Sequence, residues 1–395
     1  MTEESTATKE SETIGSYTSA DEEQTQIFLQ QDGTTVTGKG ASVSGNIVTI
    51  NQGGAYLISG TLEDGQIYVD ASGDEDVYLL FSGIDISHVS DAAVYVENAE
   101  NTIIVLKDGT NNRLQSGSSA ELSAIEDSED GNSKGAALYA RDNLSITGTG
   151  ALEVFGYINN GIHTTNNLSI ESGTISVEAR NNGLKGKDSV SISDGVFSIV
   201  SGGDGIKADD TTGEGYGTIA ITGGAFSIES RSDAIQAETT LEISDGTFSI
   251  VSGGGSENAV FSSENGWGSP DSGWDMSDES KTSTKGFKCG TKMWITGGDF
   301  SVNSCDDAFH SNGNIQIAGG TFNIATGDDG IHAGAELTIA SGDEITVIDS
   351  QGNVLISHVS AKEGNSVVFS CPELTYGETY ILNAGSQSVE IALDS

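Results

Sequence analysis

Ser189-Val-Ser-Ile-Ser-Asp-Gly-Val-Phe-Ser-Ile-Val-Ser-Gly-Gly-Asp-Gly-Ile-Lys207 decides the fold. Within it, Val190-Ser-Ile192, Phe197-Ser-Ile199 and Gly205-Ile-Lys207 each alternate apolar and polar residues, the period of a half-buried strand. Gly195 separates the first two segments, and Gly202-Gly203-Asp204 separates the second from the third, both with residues suited to tight turns. The unit recurs. Its first segment returns with apolar ends at Ile146, Ile170, Ile192, Ile221, Ile243, Ile295, Ile317 and Ile339, at intervals of 24, 22, 29, 22, 52, 22 and 22 residues. Three strands in ~22 residues lack the two-residue turn signals of hairpins. Stacked as coils, each strand instead pairs in parallel with its copy ~4.8 Å away, and each coil covers an apolar face it could not bury alone. Strands this short, broken by Gly and Ser, exclude a helical or leucine-rich repeat.

The expected fold is therefore all-β: a three-sheet parallel β-helix with a C-terminal β cap. Phe197, Phe226, Phe248, Phe300 and Phe322 form one inward stack, and Ile162, Leu184, Ile206, Ile235, Phe309 and Ile331 form a second. Residues 1–25 read as a flexible acidic tether, 26–340 as the solenoid and 341–395 as the cap. Breaks in the period mark insertions at 116–134, 209–217 and, largest, 256–284, which carries Trp267 and Trp274. Val367–Ser370, Tyr380–Asn383 and Val389–Ala392 read as cap strands.

The chain has 395 residues and a formal net charge of −43, from 59 acidic and 16 basic side chains. Such a field repels nucleic acid and anionic membranes and favours cations. Frequent Val and Ile set it apart from acidic disordered chains, and 53 Gly against 2 Pro fits many short strands joined by turns. Cys289, Cys305 and Cys371 are odd in number and without a Cys-x-x-Cys pair, so they read as free thiols. No run of residues approaches the ~20 apolar residues of a membrane span. The first residues lack the features of an export signal, so a secreted form would already have lost one.

The blocks Gly-Ile-His (161–163), Gly-Leu-Lys (183–185), Gly-Asp-Gly-Ile-Lys (203–207) and Gly-Asp-Asp-Gly-Ile-His (327–332) alternate with Ile-Ser-Asp-Gly-x-Phe-Ser-Ile strands. They resemble the bacterial carbohydrate-binding β-helix family, which is related in fold to pectate lyases, over roughly Ala55 to Leu393. The resemblance implies a right-handed, pectate-lyase-like parallel β-helix, bound calcium, secretion or surface anchoring, and affinity for cellulose and acidic sugars. It does not imply lyase activity. Lys285-Gly-Phe-Lys288 and Asp306-Asp-Ala-Phe-His310 depart from the pattern and argue against a uniform site on every coil.

Two columns could carry chemistry. The corner before each third strand reads Asn160, Asn182, Asp204, Asp233, Asn258, Lys285, Asp307, Asp329. Asn and Asp suit such corners, but stacked carboxylates repel unless a cation lies between them. Asp306, Asp307, Asp328 and Asp329 offer the oxygen shell that Ca²⁺ prefers. Asp204 with Asp233 is a second calcium candidate, and Asp209, Asp210 and Glu238 are a third. The outward column of the third strands reads Tyr95, Tyr139, His163, Lys185, Lys207, Gln236, Phe261, Lys288, His310, His332. It suggests either a groove floor for sugars or a solvated face whose lysines neutralise the Asp column. Tyr139, His163, Lys185, Lys207, His310, His332 and the outward Trp294 are the carbohydrate-binding candidates, because aromatic faces stack on sugar rings and cations pair with uronates.

Three functions compete. The first is a monomeric, extracellular or surface-anchored, calcium-dependent polysaccharide-binding protein without catalysis, acting on cellulose or acidic polymers such as polygalacturonate. The second is a calcium-dependent pectate lyase with Lys207 as base, a role its carboxylate neighbours oppose. The third is a stalk or adhesin.

Overall fold

The computed structural model describes residues 24–119, 135–259, 283–339, 344–348, 351, 354–359, 378–384 and 387–392. The repeat folds as coils that stack in three parallel ladders, the architecture of a parallel β-helix. The first ladder runs from Asn101–Leu106 through Ser189–Ile192 to Leu337–Ile339, with the repeat's isoleucines in direct register. The second runs from Asn111–Ser116 to Thr321–Thr326, and the third from Ile47–Ile50 to Ile331–Ala333. At the N-terminal end the first two ladders are one continuous sheet. The long strand Val77–His88 pairs with Asn101–Leu106 through Val77–Phe81 and with Asn111–Ser116 through Asp85–His88. Its bend falls at Gly83 (φ +78°), where Asn112 Oδ1 accepts the Gly83 and Ile84 amides.

Higher in the stack a glycine column makes that corner instead. Gly195, Gly224, Gly246, Gly298 and Gly320 have φ between +104° and +134°, a region L side chains avoid. Two residues after each lies a phenylalanine of the expected stack. Those rings lie parallel within 6°, their centroids 4.7 to 4.9 Å apart. Across the interior, Phe287 and Phe309 stack on each other and meet that column edge-on, at 76–79°. The ladder spacing thus doubles as the aromatic stacking distance.

Phe287 corrects the column reading. Ile235 pairs directly with Phe287, Gln236 with Lys288, and Ile243 with Ile295. The 52-residue interval is therefore one coil carrying an insertion, and Asn258 and Phe261 supply no coil between. Asn258 ends a short 3₁₀ turn, Ser256–Asn258. Phe261, Trp267 and Trp274 lie outside the described residues, as do nearly all of the expected tether and most of the 116–134 and 256–284 insertions.

Antiparallel strands finish both ends. Thr25–Leu29 joins the stack beside Gly54–Leu62 and takes Thr35–Thr37 as an antiparallel partner, while Ala41–Ser44 folds back on Ile47–Ile50. At the other end Gln387–Ala392 adds in parallel to Thr321–Thr326 and pairs antiparallel with Thr379–Ala384, which continues to Glu344–Ile348 and Val354–Val359. Two of the expected cap strands correspond to these; Val367–Ser370 lies outside the described residues. Cys289 and Cys305 are free thiols, and burial pushes the Cys289 thiol up to about 11; Cys371 is outside the described residues. Among the described residues no helix is long and apolar enough to cross a membrane.

Candidate functional site

The corner column is a hydrogen-bonded ladder. Each Asn or Asp Oδ1 accepts the amide N–H of the corner residue on the next coil: Asn182 to Asn160 (3.1 Å), Asp204 to Asn182 (3.0 Å), Asp233 to Asp204 (3.0 Å) and Lys285 to Asp233 (2.8 Å). Lysine has no acceptor, so the run breaks there. The Asp307 amide turns instead to Asp306 Oδ1, and the ladder resumes when the Asp329 amide donates to Asp307 Oδ1 (3.0 Å). A buried N–H left unpaired is costly, which is why an acceptor side chain recurs at this corner.

The second oxygen of each carboxylate faces the outward column. Lys207 Nζ lies 2.8 Å from Asp204 Oδ2, Lys288 Nζ 3.1 Å from Asp233 Oδ2, His310 Nδ1 2.6 Å from Asp307 Oδ2 and His332 Nδ1 3.0 Å from Asp329 Oδ2. Three of these pairs are three residues apart in sequence, as Asp204-Gly-Ile-Lys207, Asp307-Ala-Phe-His310 and Asp329-Gly-Ile-His332. That spacing is legible in the sequence and is the signal that reading the two columns separately passes over. Lys288 instead reaches across coils, because Asp233 is followed three residues later by Gln236.

The outward column is continuous in register from Tyr68 through Tyr95, Tyr139, His163, Lys185, Lys207, Gln236, Lys288 and His310 to His332. Its lower half is not an open groove floor. Tyr139 and His163 are each only 3% exposed, and the rings from Tyr68 to His163 pack on one another at 5.2 to 5.5 Å. The open part comprises Lys185, Lys207, Gln236, Lys288, His310 and His332, all partly exposed. Trp294 stands apart on the first ladder, 37% exposed, with Lys292 Nζ 4.6 Å from its ring centroid.

The acidic candidates separate in the same way. Asp204 and Asp233 are held by Lys207, Lys288 and backbone amides, although burial, with the charge of Asp233, outweighs Lys207 and pushes the Asp204 carboxyl up. Asp209 pairs with Lys185 (2.7 Å) and Asp210 with Lys187 (3.2 Å), while Glu238 faces Gln236; these three do not converge on one point. At the last turns, Asp306, Asp307 and Asp328 each bring a carboxylate oxygen within 4.8 Å of the others, and Asp307, His310 and His332 do likewise. Asp329 turns to His332 instead. Lys285 sits against Asp306 and lies 3.9 Å from Asp307. Burial and the charges of Asp307, Asp329 and Asp306 push the Asp328 carboxyl up. For Asp307, burial works upward, but the bonds from His310 and the Asp329 amide and the charge of Lys285 outweigh it and hold the carboxyl low.

Lys207 is placed against service as a base. Burial alone lowers its affinity for the proton, yet the attraction of Asp204, Asp209 and Asp233 outweighs this and raises its pKa.

Coils, ladders and lateral columns define a pectate-lyase-like parallel β-helix. The family model for carbohydrate-binding domain-containing proteins matches residues 44–330, and the chain belongs to that family. A carbohydrate-binding domain-containing protein of Acetivibrio thermocellus is 41% identical over 140 residues, 35% of this chain and 48% of the relative. The match thus spans about half the length of that relative. A solved structure, a polysaccharide lyase-like protein from C. thermocellum as a gadolinium derivative, aligns with a TM-score of 0.53 at 30% identity. The alignment covers 75% of this chain and 99% of that one.

Proposed function

We propose that the protein binds polysaccharide outside the cell as a monomer, without catalysis and with the help of calcium, and that its ligands are cellulose or acidic polymers such as polygalacturonate. The observation that carries this reading is the open half of the outward column, a row of Lys and His on one lateral face of a chain with net charge −43. A sugar chain lying along the stack meets one such residue per coil, and weak contacts repeated along one chain add. Calcium enters at Asp306, Asp307 and Asp328. The Asp328 carboxyl is raised by burial and then by the charges of Asp307, Asp329 and Asp306, which Lys285 offsets only in part. Ca²⁺ takes 6–8 oxygen ligands, so three carboxylates leave positions for sugar oxygens. The raised pKa of Lys207 favours binding over lyase chemistry, which needs an uncharged base.

The test is retention on a panel of insoluble and soluble glycans, with and without chelator. Lys185→Gln with Lys207→Gln is expected to weaken polygalacturonate binding clearly, and added salt to weaken it further, since exposed pairs are screened within ~10 Å at ~0.1 M. Undiminished binding by the double variant places the interface elsewhere. Release of an unsaturated, ultraviolet-absorbing product would overturn the non-catalytic reading.

A further inference from the structure

The last two third-ladder coils hold a donor set whose two histidines the calcium reading does not use. We propose that His310 and His332, with Asp307, form a site for a divalent transition-metal ion of the zinc class. The proposal goes beyond the calcium reading and shares only Asp307 with it.

His310 and His332 are directly paired across the ladder, their rings stacked at 4.7 Å and 11°. One donor atom each from Asp307, His310 and His332 lies within 4.8 Å of the other two. Two imidazoles and a carboxylate are poor company for Ca²⁺, which prefers an all-oxygen shell, and suit zinc, cobalt, nickel or copper. Zinc bonds of ~2.0–2.1 Å place tetrahedral donors about 3.3 Å apart. The Asp307–His310 pair, at 2.6 Å, must therefore open slightly, and His332 must turn inward from its contact with Asp329. Half-exposed His332, on the outermost coil of the column, has the freedom to turn, while strand pairing fixes the backbones.

Two further contacts prepare the site. Asp307 Oδ1 is committed to the Asp329 amide, which fixes the carboxylate and leaves Oδ2 facing His310. His310 presents both ring nitrogens to oxygens: Nδ1 to Asp307 Oδ2 at 2.6 Å and Nε2 to Asn312 Oδ1 at 3.0 Å. A metal ion at Nδ1 takes the place of the proton between that nitrogen and Asp307, and the proton leaves to solvent. Nε2–H then stays donated to Asn312, the outer-sphere bond that metal-ligating histidines make. The fourth position is open to water or to a ligand oxygen.

The experiment titrates the full chain with Co²⁺, whose visible absorption reports nitrogen ligation, followed by competition with Zn²⁺ and with excess Ca²⁺. One Co²⁺ per chain is expected, displaced by Zn²⁺ at far lower concentration than by Ca²⁺, which competes only for Asp307. Asn312→Ala is expected to weaken binding by roughly 10–100-fold, and His310→Gln or His332→Gln by more. Asp328→Asn, which removes no ligand of this site, should leave the Co²⁺ spectrum unchanged. The proposal is overturned if the histidine variants bind Co²⁺ as the wild type does. A calcium-dependent rise in melting temperature that survives His332→Gln isolates the calcium reading from this one.

Discussion

Asp204 serves two partners with its two oxygens, and substitutions can separate them. Asp204→Asn keeps an acceptor for the Asp233 amide but removes the carboxylate from Lys207. Breaking a fully buried pair costs ~3–5 kcal/mol; Lys207 retains some access to water, so about 2 kcal/mol is expected. Asp204→Ala also orphans the Asp233 amide, which adds about 1–3 kcal/mol. Denaturant unfolding of both variants measures the difference, and equal losses would show that the amide finds another acceptor. Asp210 gives a pH signature. Hydrogen bonds from Thr212, aided by Lys187, hold its carboxyl at about 2. A depressed carboxyl contributes stability above its unfolded value, ~3.9, which is lost as pH falls toward the folded one. Between pH ~4 and ~2, wild type should therefore lose more stability than Asp210→Asn, as read by melting temperature across that range.

At the scale of the strand, the phenylalanine column ties register to packing. Phe248 sits between Phe226 and Phe300 and meets Phe287 edge-on, so Phe248→Ala opens a cavity in the middle of two stacks. A loss of about 4 kcal/mol is expected in denaturant unfolding. A cost below ~1 kcal/mol would mean that the coils close over the gap. Much of this was readable beforehand: the Ile and Phe echoes gave coil, ladder and stack, because period-2 alternation repeated at one interval admits few other packings. Phe287 was not, because the insertion before it doubled the apparent period and drew Asn258 and Phe261 into columns they do not occupy. The site was half legible. Residue types located the lateral columns, but alternation separates only inward from outward. It could not reveal that Tyr139 and His163 are buried. Nor could it say which carboxylates would be taken by lysine, since Lys185 and Lys288 find Asp209 and Asp233 across coils.

For the whole molecule, a cation bound only by the native state stabilises by mass action, about 2.7 kcal/mol at a hundredfold excess over Kd. Calcium should thus raise the melting temperature, and Asp307→Asn or Asp328→Asn should blunt the rise. A melt unchanged by chelator removes the calcium turn from the mechanism. The reversed strands at the two ends have a different kind of consequence. A stack of identical parallel coils is its own template: any bare terminal coil offers the hydrogen-bonding edge that the next copy needs, as in a growing fibril. Thr35–Thr37 and Ala41–Ser44 at one end, and Thr379–Ala384 beyond Gln387–Ala392 at the other, present strands of the wrong direction to an incoming coil. At the N-terminal end, and on the second ladder at the C-terminal end, a reversed strand is a poor template for a further parallel coil and so opposes one-dimensional polymerisation of a molecule built from a repeat.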